Sequence, residues 1–151
     1  MIEVQAPHPY TKTKHMIFLA GSIEMGKAEN WQTRVVEALK DYDVTILNPR
    51  RADWDSSWKQ TIDDPQFNQQ VTWELQALED ATEILMYFDP TTKSPISLLE
   101  LGLFAHTGKL IVCCPEGFWR KGNVDIVCKR YGIFQIPSLE KLFYSGPALP
   151  L

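Results

Sequence analysis

The sequence predicts an α/β chain of flavodoxin-like (Rossmann-like), three-layer form, with a parallel sheet of about five strands. Three observations carry that expectation. Short runs such as HMIFLA (15–20), EILMYFD (83–89) and KLIVCC (109–114) are continuously apolar, as strands covered on both faces must be. Between them lie segments whose apolar residues recur at helical spacing, and this alternation is the mark of a layered α/β fold. No repeat, low-complexity tract or composition break divides the 151 residues, so 1–151 is expected to form one domain, a size that buries a core without staples.

The elements are expected in the following order. Residues 1–14 are polar and proline-containing and read as an N-terminal arm. HMIFLA is a buried strand ended by Gly21, and GSIEMGK is a loop. In ENWQTRVVEALKDY, Trp31, Val35, Leu39 and Tyr42 share a helical face. VTILNP (44–49) is the second strand, and a long polar stretch (50–65) carries Trp54 and Trp58. In QFNQQVTWELQALEDA, the residues Phe67, Val71, Leu75 and Leu78 form one stripe, with Glu74 beside it. EILMYFD is the third strand. SPISLLELGLFAHTGK (94–109) turns from a polar loop into an apolar helix ending at Gly108. KLIVCC is the fourth strand, VDIVCKRYG (124–132) a helix, IFQI (133–136) a short strand and SLEKLFY a last helical turn.

Bulk properties exclude several functions. The formal net charge of −4 and scattered basic residues give no electrostatic footprint for a nucleic acid polymer. A small molecule is the expected partner. Cys113, Cys114 and Cys128 are odd in number, and two are adjacent in an apolar run; they fit neither a disulfide framework nor a zinc site. No apolar run nears the roughly 18 residues needed to span a membrane, and no signal-peptide core is visible. A cytoplasmic protein is expected, with no metal site indicated.

GSIEMGKA (21–28) nearly matches the phosphate loop G-x-x-x-x-G-K-[ST], but Ala28 replaces the hydroxyl that holds magnesium. A glycine-flanked pocket floor, with Gly21 and Ser22 offered to a ligand, is the better reading. Glu100 is the chief catalytic candidate. It is expected in the first turn of its helix, at the carboxyl edge of the sheet where open α/β sheets bind ligands. There the helix terminus would hold it ionised for nucleophilic attack. The structural alternative is a capping box, S-x-x-E, from Ser97 to Glu100. Glu74 is either a solvated flank residue or the second carboxylate of a glycosidic pair. Trp54 and Trp58 either stack a nucleobase or cover a core edge or a subunit interface. The histidines show no ligand spacing, and Arg120 or Lys121 in EGFWRKGN could meet a phosphate.

Three segments, IFLAGSIEMGK, VTWELQALEDATEILMYFD and SLLELGLFAHTGKLIV, together resemble the nucleoside 2-deoxyribosyltransferase superfamily, particularly its 2-deoxyribosyltransferase-like branch. The resemblance implies that Glu100, in E-L-G, is a nucleophile and Glu74 a proton donor. It implies substrate binding at Ser22 and Ser94, and Gly21, Ser97, Trp54 and Trp58 complete the expected substrate-binding set. Ser94 replaces the aspartate of the classical transferases and, with Ser22, is closer to the related nucleoside 5′-monophosphate hydrolases, whose loop carries an arginine where this chain has Glu24. The implied activity is cleavage or transfer of an N-glycosidic bond through a glycosyl-glutamate, without cofactor, in a homo-oligomer (a dimer or larger). The alternatives are a strict monophosphate hydrolase and a catalytically silent nucleotide-sensing module.

Overall fold

The computed structural model describes residues 1–23 and 29–144. Its elements are β1 (Ile2–Gln5), β2 (Met16–Gly21), α1 (Trp31–Ala38), β3 (Thr45–Asn48), α2 (Pro65–Asp80), β4 (Glu83–Tyr87), α3 (Pro95–Phe104), β5 (Leu110–Cys113), α4 (Lys121–Tyr131), β6 (Phe134–Ile136) and α5 (Leu139–Tyr144). The strands form one six-stranded sheet in the order β1-β3-β2-β4-β5-β6, and every pairing is parallel. Without β1 this is the flavodoxin-like order, so the predicted architecture is correct.

The strand count needs one correction. Residues 1–14 are not simply an arm, because Ile2–Gln5 adds an edge strand beside β3, with Ile2 opposite Thr45 and Gln5 opposite Asn48. The strand is short and mostly exposed, which hides it from a search for buried apolar runs. The rest of the segment straps α2: the Trp73 indole donates to the His8 carbonyl (2.8 Å), and the Tyr10 hydroxyl donates to Asp80 (3.0 Å).

Two apolar layers sandwich the sheet. On one face Phe18, Met86 and Val112 pack under Ala77 and Leu78 of α2, Leu101 of α3 and Val124 of α4. On the other, Leu19, Leu85 and Ile111 pack under Trp31 and Val35 of α1 and Leu139 of α5. Successive strand residues thus feed opposite cores, which is why these runs carry no polar alternation. The three cysteines are free and buried. No helix among the described residues is long and apolar enough to cross a membrane.

Helix α2 begins at a well-made cap: Asp64 accepts from the Gln66 and Phe67 amides (3.1 and 3.0 Å), and Pro65 opens the helix. Its inward face differs from the predicted stripe. Leu75 is exposed, whereas Gln70, Ala77, Leu78 and Ala81 are buried. Following a strand that ends at the sheet's carboxyl edge, α2 runs back antiparallel to the strands. Its first turns therefore lie at that edge, and the inward face is polar there, at Gln70, before becoming apolar over the sheet.

Helix α3 starts three residues earlier than a Ser97 capping box requires. Its N-cap is Ser94, followed by Pro95, and Ser97 is buried within the first turn. Glu100 is consequently the sixth helical residue, one turn inside the helix rather than in its first turn. It cannot close a capping box. The helix also ends at Phe104, short of Gly108.

Candidate active site

Strands β2 and β4 are neighbours, yet their chains leave in opposite directions, β2 through α1 to β3 and β4 through α3 to β5. This is the switch point where doubly wound sheets open a crevice. Gly21 closes β2 there, paired with Tyr87. Its φ is +137°, and a Cβ would stand 2.2 Å from the Tyr87 carbonyl oxygen. No side chain fits between the two strand ends.

Beyond Gly21 the chain is tied down by hydroxyl groups. The Ser22 amide donates to the Tyr87 carbonyl (2.9 Å), while its Oγ accepts from the Asp89 amide (2.8 Å). The same Oγ bonds the hydroxyls of Thr92 and Ser94, which bond each other at 2.7 Å. All three residues are buried. A hydroxyl has one proton and two lone pairs, so Ser22 is committed to joining the β2 loop to the β4–α3 loop. Ser94 holds this position with a left-handed backbone, φ 47° and ψ 54°, a strained state for a residue other than glycine and of the kind that clusters at functional sites. Glu24, Gly26, Lys27 and Ala28 of the near-miss phosphate loop lie outside the described residues.

Glu100 is 9% exposed, and its Oε2 is buried without a hydrogen-bond partner among the described residues. Burial, and then the negative charge of Glu74, push its pKa up to about 8. The expectation that the helix terminus holds it ionised is therefore overturned. The terminal field fades beyond the first turn, and desolvation wins.

Glu74 is half-buried. Burial raises it to about 7, against the opposing effect of a hydrogen bond from Gln70 (2.7 Å). Two carboxyls from successive helices thus share one electrostatic environment and titrate close to neutrality. Such a pair holds a proton that can be assigned to either member, the usual basis of acid and nucleophile roles in one site.

The aromatic loop reaches the same region. Trp54 and Trp58 meet edge to face, with ring centroids 5.0 Å apart, and the Arg51 guanidinium lies 4.8 Å over Trp58. Arg51 is held by two bonds of 2.9 Å to Asp53 and reaches Gln70 at 3.4 Å. The Trp54 Nε1 is a buried donor with no partner among the described residues. Further along the sheet edge, Trp119 is faced by Lys93 and Arg120, each 4.4 Å from the ring centroid.

Sequence reasoning missed Gln70, Arg51 and Thr92. Gln70 carries a signal: it lies four residues before Glu74 and seven before Ala77, so it occupies an inward slot that an apolar side chain would ordinarily fill. Among the described residues, no group of three or more His, Cys, Asp or Glu side chains is placed to hold a metal ion.

The fold is a doubly wound α/β domain, and Glu74 of α2 and Glu100 of α3 interact electrostatically within it. The chain belongs to the nucleoside 2-deoxyribosyltransferase-like family, whose model matches residues 14–118. That span runs from the arm past β5 and includes Glu74, Glu100, Gly21, Ser22, Trp54, Trp58, Ser94 and Ser97; Arg120 and Lys121 lie beyond it. A search of curated proteins found no match to this chain.

Proposed function

We propose that the protein cleaves or transfers the N-glycosidic bond of a (deoxy)nucleoside or nucleotide, with Glu100 as nucleophile and Glu74 as proton donor. The observation that carries this reading is the buried Oε2 of Glu100, without a hydrogen-bond partner among the described residues and under the influence of the Glu74 charge. An orphan carboxyl oxygen is costly in the free protein. A reacting sugar that develops positive charge at its anomeric carbon relieves that cost in the transition state, where it contributes to catalysis.

In the first step a Glu100 oxygen attacks the anomeric carbon. The bond to the base nitrogen breaks, its electron pair leaves with the base, and the Glu74 proton goes to the base. In the second step water or another base attacks the glycosyl ester from the vacated face. The Glu74 carboxylate takes the acceptor's proton, and Glu100 leaves as carboxylate. Two displacements give overall retention. Trp54 and Trp58 stack the base, while Gly21, Ser22, Ser94 and Ser97 shape the sugar end. Since Ser22, Thr92 and Ser94 bond one another, an unphosphorylated nucleoside is favoured over a strict requirement for a 5′-phosphate.

The test is incubation with a panel of nucleosides and 5′-monophosphates, followed by chromatography of liberated base. Release is expected from at least one nucleoside. Sugar phosphate formed from monophosphates alone would support the hydrolase alternative, and binding without release over hours would support the silent sensor.

A homo-oligomer belongs to the same proposal. Ile96, Leu99 and Leu103 line the outer face of α3 and are exposed, and a helix apolar on both sides normally has both sides covered. Light scattering is expected to give at least twice the 17.3 kDa chain mass, and Leu99→Glu is expected to lower it. A wild-type mass of one chain would remove this part of the proposal.

A further inference from the structure

Gln70 is a glutamine 3% exposed, on the inward face of α2. Its amide nitrogen and its amide oxygen both have partners. Nε2 donates to the Pro49 carbonyl at 2.9 Å and to Glu74 Oε1 at 2.7 Å, while Oε1 accepts from Arg51 Nη1 at 3.4 Å. A backbone carbonyl can only accept and a guanidinium can only donate. These two neighbours therefore forbid the flipped amide, in which the oxygen would face both the Pro49 carbonyl and the Glu74 carboxyl. The side chain has one orientation, with its remaining N–H directed at Glu74. Both fixing groups come from the stretch that follows β3, and Arg51 is itself clamped by Asp53 and stacked on Trp58.

We propose that Gln70 is a positioning residue for the site. It is locked by Pro49 and Arg51 and holds Glu74 Oε1 in a fixed direction, so that the other carboxyl oxygen is the one that exchanges a proton with the substrate. This rests on the assignment of Glu74 as proton donor. A glutamine one helical turn before the acid thereby joins the Trp54–Trp58 loop to the acid itself.

Among the described residues, the charged and titratable groups that act on Glu74 are Glu100 from α3 and, through Gln70, Arg51 from the β3–α2 connection. Glu100 repels a charge on Glu74. The Gln70 N–H stabilises that charge, because it donates to the carboxylate and cannot accept a proton from the acid form. Gln70 therefore loosens the hold of Glu74 on its proton, which eases transfer of that proton to the leaving base in the first step.

The experiment follows the carboxyls directly, by carbon-detected NMR titration of protein labelled at the glutamate side-chain carboxyl carbons. Glu74→Gln and Glu100→Gln assign the signals. In Gln70→Leu, which keeps the volume and removes the donor, the Glu74 midpoint is expected to rise by about one pH unit, the scale of one hydrogen bond to a carboxylate. The unaltered protein gives an independent reading in case Gln70→Leu does not fold. There, the Gln70 side-chain amide resonances are expected to shift with the Glu74 midpoint, and to stop doing so in Glu74→Gln.

A Glu74 midpoint unchanged in Gln70→Leu, or Gln70 amide signals indifferent to pH, would overturn the proposal. If the wild type releases base, Gln70→Leu is expected to lower kcat about tenfold with little change in KM, because an acid turned away from the leaving group weakens general-acid catalysis. An equal loss in kcat and in folded fraction, with the Glu74 midpoint unmoved, would show a merely structural glutamine. The titration needs no substrate. Wild type that releases no base but shows the predicted shift would therefore sink the glycosidic reading, whereas an absent shift in a protein that does release base would sink the role of Gln70 alone.

Discussion

Glu100→Gln is expected to abolish base release and, at neutral pH, to make the protein more stable. The first effect follows from losing the nucleophile, since an amide oxygen cannot form the glycosyl ester. The second follows from burial. The folded-state pKa of Glu100 is raised to about 8, against about 4.3 for a glutamate in an unfolded chain. Between those values the folded protein binds more protons than the unfolded one, so stability falls as pH rises through that window. Glutamine carries no such penalty. Each unit of displacement is worth about 1.4 kcal/mol, partly offset by the amide left without a partner. A net gain of about 2 kcal/mol at pH 7.5 corresponds to a Tm increase of about 5 °C for a chain of this size. Near pH 5 the gain should vanish, because the buried carboxyl is then protonated as well. Thermal unfolding of both proteins from pH 5 to pH 8 measures this directly. A Tm that drops along with activity would mean that Glu100 serves the fold instead of the reaction.

Gly21→Ala is expected to lose most of the folded protein. The added methyl meets the Tyr87 carbonyl oxygen at 2.2 Å and the Tyr87 nitrogen at 2.8 Å. Both are backbone atoms of the neighbouring strand, held in the β2–β4 register. A φ of +137° is in addition a conformation that alanine does not tolerate. Relief requires the two strand ends to separate. That would break the Ser22–Tyr87 bond and with it the connection from Ser22 to Thr92 and Ser94. The cost is about 3–5 kcal/mol, a large share of the 5–15 kcal/mol that a typical domain has in reserve. A Tm lowered by about 10 °C or more, or insoluble protein, is the expected outcome. A Tm within about 2 °C of wild type would show that the strand ends yield easily and that the switch-point geometry is not fixed by this residue.

The layered sheet was legible because burial on both faces writes itself as unbroken apolar runs. β2, β4 and β5 could be found that way, but β1 could not, since an edge strand exposed on both sides has no reason to be apolar. Glu100 and Glu74 could be found as residue types at the right points of the chain order. Their protonation could not, because the expectation placed Glu100 at a helix start, where the backbone favours a charge, and the helix begins at Pro95 instead. The spacing Ser97 to Glu100 suggested a cap. The actual cap, Ser94, adopts a left-handed backbone that no local pattern announces, and it is stabilised by Thr92 and Ser22, the latter 72 residues away. Leu75 illustrates the remaining failure. Helical periodicity put it on the inner stripe, yet the inner slots near the sheet edge go to Gln70 and Glu74. A helix whose inward face turns polar at a functional site loses its apolar phase there, and periodicity then points a little to one side of the true face.

The most direct measurement is the mass of the protein after incubation with a 2′-deoxy-2′-fluoro-arabinosyl nucleoside, whose fluorine slows breakdown of a glycosyl ester. The account predicts one added fluoroglycosyl group per reactive chain, carried on the peptide containing Glu100 and absent from Glu100→Gln. Base released by the wild type with Glu100 unmodified, together with undiminished release by Glu100→Gln, would contradict it.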